Sequence, residues 1–219
     1  MMLGARNGAW AKSGGGVPTA SDYVQDGLIA MWDGIENAGW GAHDPNATTW
    51  KDLVGSYDAV LSGCLFSENS LVSITVGSKA KAVSYPSSIR TIEIVFKRTG
   101  GGECVAKFGE YNVWRYSKDN YYFYPSYGSY SNNGAFIDES IVNSLSHITL
   151  SSERKTFANS VLQTLSHSDY WSNEFLEFFG REGNYSTGEI FCARIYDVIL
   201  TASEIAANYA IDKARFNLP

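Results

Sequence analysis

Apolar residues along this chain recur mostly with a period of two, in runs too short to be helices. Thr91-Ile-Glu-Ile-Val-Phe96 sets Ile92, Ile94 and Phe96 on one face of a strand. Gly27-Leu-Ile-Ala-Met-Trp32 is an unbroken apolar run of the kind buried inside a sandwich. Further strands are predicted at Tyr57–Leu61, Leu71–Val76, Glu103–Phe108, Tyr111–Tyr116 and Tyr121–Tyr124. Others follow at His147–Ser151, Thr156–Ala158, Val161–Leu165, Leu176–Phe179 and Glu189–Tyr196. Ser117–Asn120 has a turn composition, and Asn159-Ser160 is a two-residue hairpin turn that needs positive φ. Close-set short strands in this number are the pattern of a sandwich or barrel. One helix closes the chain. Thr201-Ala-Ser-Glu204 is a capping box, and Ile205 and Tyr209 fall on one face of a helix over about 201–214.

Composition agrees with an all-β chain. Aromatics are 14% of 219 residues, which suits pleated sheets, and charged residues are only 18%, too few for salt-bridged helices to dominate. No repeat or linker divides the chain, so residues 22–219 read as one sandwich domain. Residues 1–21, rich in glycine, read as an irregular N-terminal arm docked on its own domain or on a neighbouring subunit. The net charge of −6, with scattered Lys and Arg, argues against nucleic acid. No apolar run is long enough to span a membrane, and the N-terminus lacks the apolar core of a secretory signal. Cys64, Cys104 and Cys192 have neither disulfide nor zinc spacing and read as small core residues of a chain that folds in a reducing cytoplasm.

Tyr185-Ser-Thr-Gly-Glu-Ile-Phe-Cys-Ala-Arg-Ile-Tyr-Asp-Val-Ile-Leu-Thr-Ala-Ser-Glu-Ile205 resembles the closing motif of laminin-G-like, concanavalin A-type domains. Asp26–Asp33, Trp50–Gly55 and the His147–Leu150 strand with its Phe157–Leu162 hairpin resemble earlier segments of that family, in the same order. The resemblance covers roughly residues 26–212. It implies a jelly roll, a two-sheet antiparallel β-sandwich with a short C-terminal helix, that binds carbohydrate or protein, with calcium in some members.

Catalysis finds little footing. Glycosidases need two carboxylates flanking the scissile bond, on one strand face here. No acidic residues lie two apart, and Glu174 and Glu177, three apart, face opposite sides of a regular strand. The three histidines form no metal pair; His147 reads as structural and His167 as solvated. No serine lies in a Gly-x-Ser-x-Gly elbow. The Asp33–Thr49 loop offers oxygen ligands, and Asp33, Asp44 and Asn46 are candidate calcium ligands, with Glu36, His43 and Asp52 nearby. A solvated loop held by Asx turns is the alternative. Trp32 and Trp50 read as core, whereas Trp40, between Gly39 and Gly41, is hard to bury. Tyr121, Tyr124, Tyr127 and Tyr130 lie in a Tyr/Ser/Gly/Asn tract of binding-loop character. Together with Trp40 they are the candidate ligand-binding residues. The expected function is therefore a non-catalytic recognition or assembly protein. The favoured form is a phage virion component, assembling through residues 1–21 and displayed on a virion or extracellular surface. A secreted carbohydrate-binding module or adhesin is the alternative, and a glycoside hydrolase the remote one.

Overall fold

The computed structural model describes residues 18–101, 104–108, 111–115, 121–125, 145–151, 155–163, 176–181 and 184–219. In chain order the strands are β1 (Leu28–Asp33), β2 (Thr49–Trp50), β3 (Ala59–Ser62), β4 (Leu65–Phe66), β5 (Leu71–Ser73), β6 (Lys79–Ala82), β7 (Thr91–Gly101) and β8 (Cys104–Phe108). They continue as β9 (Tyr111–Arg115), β10 (Tyr121–Pro125), β11 (Ser146–Ser151), β12 (Lys155–Ala158), β13 (Val161–Gln163), β14 (Leu176–Phe178), β15 (Gly180–Arg181) and β16 (Asn184–Tyr196). Helix α1 (Ala202–Phe216) ends the chain, and Ala20–Asp22 form a single 3-10 turn before β1.

Two antiparallel sheets result. The nine-stranded sheet runs β13-β12-β11-β7-β16-β5-β4, with β1 and β15 also paired to β16; the seven-stranded sheet runs β10-β9-β8-β14-β6-β3-β2. The inward faces meet in an aromatic centre around Phe178, whose ring lies 5.4 Å from Trp32, 5.0 Å from Trp50 and 5.8 Å from Phe108. Alanines at 30, 59, 80, 82 and 106 surround these rings, so small and large side chains alternate across the core. Trp32 and Trp50 are fully buried, as their neighbourhoods predict.

The outward face of the nine-stranded sheet is roofed by α1. Its N-terminus is the predicted capping box: Thr201 Oγ1 accepts from Glu204 N–H, and the Glu204 carboxylate accepts from Thr201 N–H at 2.7 Å. Asn217, in the left-handed conformation with φ 56°, ends it two residues beyond the predicted limit. Asn159 and Ser160 take φ of 48° and 63°, as the hairpin requires.

Several elements differ from the sequence reading, three of them instructively. Strand β5 stops at Ser73, because the chain turns where Ser78 N–H donates to the Thr75 carbonyl, leaving Ile74 and Val76 exposed. Strand β16 begins at Asn184, extended by pairing with the long β7. Between them the register shifts at Gly188, with φ 150°, where a Cβ would sit 2.3 Å from the Lys97 carbonyl oxygen; only glycine fits. Strand β6, Lys-Ala-Lys-Ala, has too little hydropathy to be foreseen, since its core positions are alanines. No helix among the described residues is long and apolar enough to cross a membrane.

Candidate functional site

The loop from Asp33 to Thr49 is held from beneath and exposed at its tip. Asp33 closes β1 with its carboxylate fully buried. Its Oδ1 accepts from Ile35 and Glu36 N–H at 2.9 and 3.0 Å, and Arg215 of α1 donates to both oxygens. The buried Asn37 side chain clamps Asp44 twice, accepting from its N–H at 2.8 Å and donating to its carbonyl at 2.7 Å. Glu36 bridges three elements. Its Oε2 accepts from Gly41 N–H at 2.8 Å and its Oε1 from Ala20 N–H at 3.0 Å, with the Arg215 guanidinium 3.5 Å away.

Above this base the chain reverses through Ala42 N–H to the Gly39 carbonyl (2.9 Å) and Ala38 N–H to the Ala42 carbonyl (3.2 Å). Gly39 and Gly41 take φ of 128° and 69°, a conformation L side chains resist. Between them Trp40 is 48% exposed, and residues 40–46 form a continuous exposed run. His43 Nδ1 lies 3.2 Å from the Ile35 carbonyl, to which it donates, since a carbonyl only accepts. Trp40, His43 and Asp44 thus belong to one exposed stretch of the loop.

The base continues into a charged layer between the nine-stranded sheet and α1. Arg194 on β16 donates from Nε to Glu93 (2.9 Å) and from Nη1 and Nη2 to Asp212 of α1 (2.9 and 2.6 Å). Its guanidinium carbon lies 4.0 Å from the Tyr23 ring centroid. Tyr23 donates to Asp212 at 2.7 Å and accepts from Arg215 at 3.0 Å, joining this layer to the Asp33–Glu36 base. Asn208 donates to Glu93 and to the Tyr196 hydroxyl. His147 sits between two carboxylates, Nε2 being 3.3 Å from Glu93 and Nδ1 3.3 Å from Asp212. Every one of these side chains is buried. Burial alone would push the Glu93 carboxyl up, but Arg194 and His147 outweigh it and hold it at about 2. Burial raises the Tyr23, Tyr196 and Cys192 groups above their ordinary values. Half-buried Cys64 is likewise pushed up to about 12.

His147, Arg194, Tyr196 and Ile205, which carried the family resemblance, therefore fasten the helix to the sheet, while Glu204 caps its N-terminus; His147 is structural, as expected. Of the calcium candidates, Asp33 is corrected outright: Arg215 and two backbone N–H groups occupy its oxygens, and it is sealed from the loop surface. Asp44 and Asn46 form an exposed Asx turn, Asp44 Oδ1 accepting from Asn46 N–H at 2.8 Å. Among the described residues no group of three or more His, Cys, Asp or Glu side chains could hold a metal ion. Tyr121 and Tyr124 lie on β10, the edge strand of the seven-stranded sheet, opposite Arg115 and Asn112; Tyr127, Tyr130, Glu174 and His167 lie outside the described residues. Arg215 and Asn37 had no signal in the sequence, because the partner of one is far along the chain and the side chain of the other is turned inward.

The fold is a two-sheet antiparallel β-sandwich closed by one C-terminal helix. Solved structures agree. The chain superposes on Trypanosoma rangeli sialidase with a TM-score of 0.61 at 14% identity, over 90% of this chain but only 33% of the sialidase. It matches domain 4 of AbnA, an extracellular arabinanase from Geobacillus stearothermophilus solved with arabinotriose, with a TM-score of 0.61 at 15% identity over 84% of this chain and 98% of that domain. The ligand-binding domain of botulinum neurotoxin serotype D, solved with N-acetylneuraminic acid, gives 0.55 at 14% identity, over 84% of this chain and 51% of that one. No family model matches the sequence, nor does any curated protein.

Proposed function

We propose that this chain is a non-catalytic carbohydrate-binding sandwich module and that Trp40 is its stacking platform. The observation that carries the reading is a tryptophan 48% exposed at the tip of a loop whose base is fixed by buried charges. An indole offers a large flat face to the C–H surface of a pyranose, while neighbouring polar groups meet its hydroxyls. His43 and Asp44, in the same exposed stretch of the loop, are the polar groups proposed for that role. The sugars in the arabinanase-domain and neurotoxin-domain structures support a glycan as the ligand class.

A non-enzymatic role is supported by the setting of Glu177. On β14 it stands in register with Lys107 on one side and Lys81 on the other, rather than with a second carboxylate. The virion reading drew in part on an arm docked on its own domain or on a neighbouring subunit. Where the structure describes the end of that arm, Ala20 is buried against its own domain, the first of these alternatives.

Glycan-array binding of the wild type and of Trp40→Ala tests the proposal. The variant is expected to lose the array signal while its unfolding free energy changes by less than about 0.5 kcal/mol, as for a surface substitution. Retention of the signal by Trp40→Ala, or a wild type that binds no glycan, overturns it.

A further inference from the structure

The geometry points to Glu36 as the positioning residue of the Trp40 loop, through which the docked end of the N-terminal segment controls how the ring is presented. The role in ligand binding rests on the reading of Trp40 as the platform; the physical coupling stands without it. The tip is sparsely packed at its glycines, for a Cβ added at Gly39 or Gly41 would meet nothing within 4 Å. What fixes it is hydrogen bonding: the backbone bonds that close the turn, and the bond from Gly41 N–H to Glu36 Oε2 that ties the turn to the domain.

A carboxylate positions a loop only if it is itself held. Glu36 is 8% exposed, and its second oxygen is fixed by Ala20 N–H and faces Arg215. Ala20 is fully buried and opens the 3-10 turn that Thr19 and Asp22 cap reciprocally. The segment before β1, the end of α1 and the Trp40 tip therefore meet on one carboxylate. Detaching residues 18–22 leaves Oε1 without its backbone donor and lets the side chain, and with it Gly41, relax.

Amide hydrogen exchange of Gly41, followed by NMR, reads this directly. A hydrogen bond to a charged acceptor is worth enough that Glu36→Ala should speed Gly41 exchange roughly tenfold or more. Core amides of β7 and β16 should keep their rates. Glu36→Gln, which retains a carbonyl acceptor, should recover part of the protection. Ala20→Pro replaces the N–H donor with a ring carbon facing Glu36, at a first-turn position that suits proline after the extended Thr19. It should speed Gly41 exchange by a smaller factor, about two- to tenfold. Glycan-array signal should fall in the same order across these variants. Unchanged Gly41 exchange in folded Glu36→Ala overturns the proposal; if that variant does not fold, unchanged exchange in both Glu36→Gln and Ala20→Pro does so. Unchanged exchange in Ala20→Pro alone overturns the link to the N-terminal segment. Loss of the Trp40 binding reading would appear separately, as array signal that survives Trp40→Ala.

Discussion

Glu93 and Glu36 are both buried carboxylates with an arginine beside them, yet they serve opposite ends. Around Glu93 the donors are side chains: Arg194 from β16 and Asn208 from α1, with Thr149 and His147 from β11. The cluster is closed on itself and holds two layers together. Around Glu36 the key donors are backbone N–H groups, of the buried Ala20 on one side and of Gly41 in the exposed tip on the other. The first arrangement makes a stable interface. The second makes an exposed ring stay in one place without burying it. Buried charge is weak evidence of stability in general, but it is a strong determinant of which geometry is adopted.

Arg194→Met is the largest blow to this contrast. It leaves Glu93 and Asp212 buried without their shared cation, and removing one partner of such a cluster costs about 3–5 kcal/mol. Urea unfolding should show that loss, and a loss below about 1 kcal/mol would mean that the layer does not hold the helix.

Acid comes next. The Glu93 carboxyl is held at about 2 in the fold against an ordinary 4.5, so its contribution is complete above pH 4.5 and drains away as pH falls toward 2. Asp33, raised because burial outweighs Arg215, titrates in the opposite sense. Thermal melts across this range should show a decline in the wild type that is much shallower in Glu93→Gln. Equal slopes would remove Glu93 as its source. At the other extreme, raised Tyr23 and Tyr196 hydroxyls imply that stability present below pH 10 is lost as pH rises above it. The smallest effect is the near-zero stability change of Trp40→Ala, which separates a presented ring from a packed one.

Much of this fold is legible in the chain. Alternation in β7, the capping box of α1 and the Asn159-Ser160 turn are local signals, and local signals survive folding. The exposure of Trp40 was legible for the same reason, since glycines on both sides leave nothing to bury it. The brace beneath was not. Asp33 and Arg215 are 182 positions apart, so a carboxylate that reads as a loop ligand is a buried ion-pair partner. Glu93 was equally opaque. Between Ile92 and Ile94 it reads as the wet face of a strand, and only the helix at the far end of the chain makes that face dry. Strand β6 escaped because the core already holds two tryptophans and several phenylalanines, leaving room for alanine alone.

The seven-stranded sheet carries one further consequence. A single transverse file, Thr49, Val60, Lys81, Glu177, Lys107, Asn112 and Tyr124, crosses all seven strands in perfect register. In β6, β8 and β14 its members alternate with residues of the core: Ala80 and Ala82, Ala106 and Phe108, Leu176 and Phe178. Because side chains alternate every residue, a slip of one position would drive Lys81, Glu177 or Lys107 among the aromatic rings. The charged positions of this file thus tie the pairing of β6, β14 and β8 to a single register.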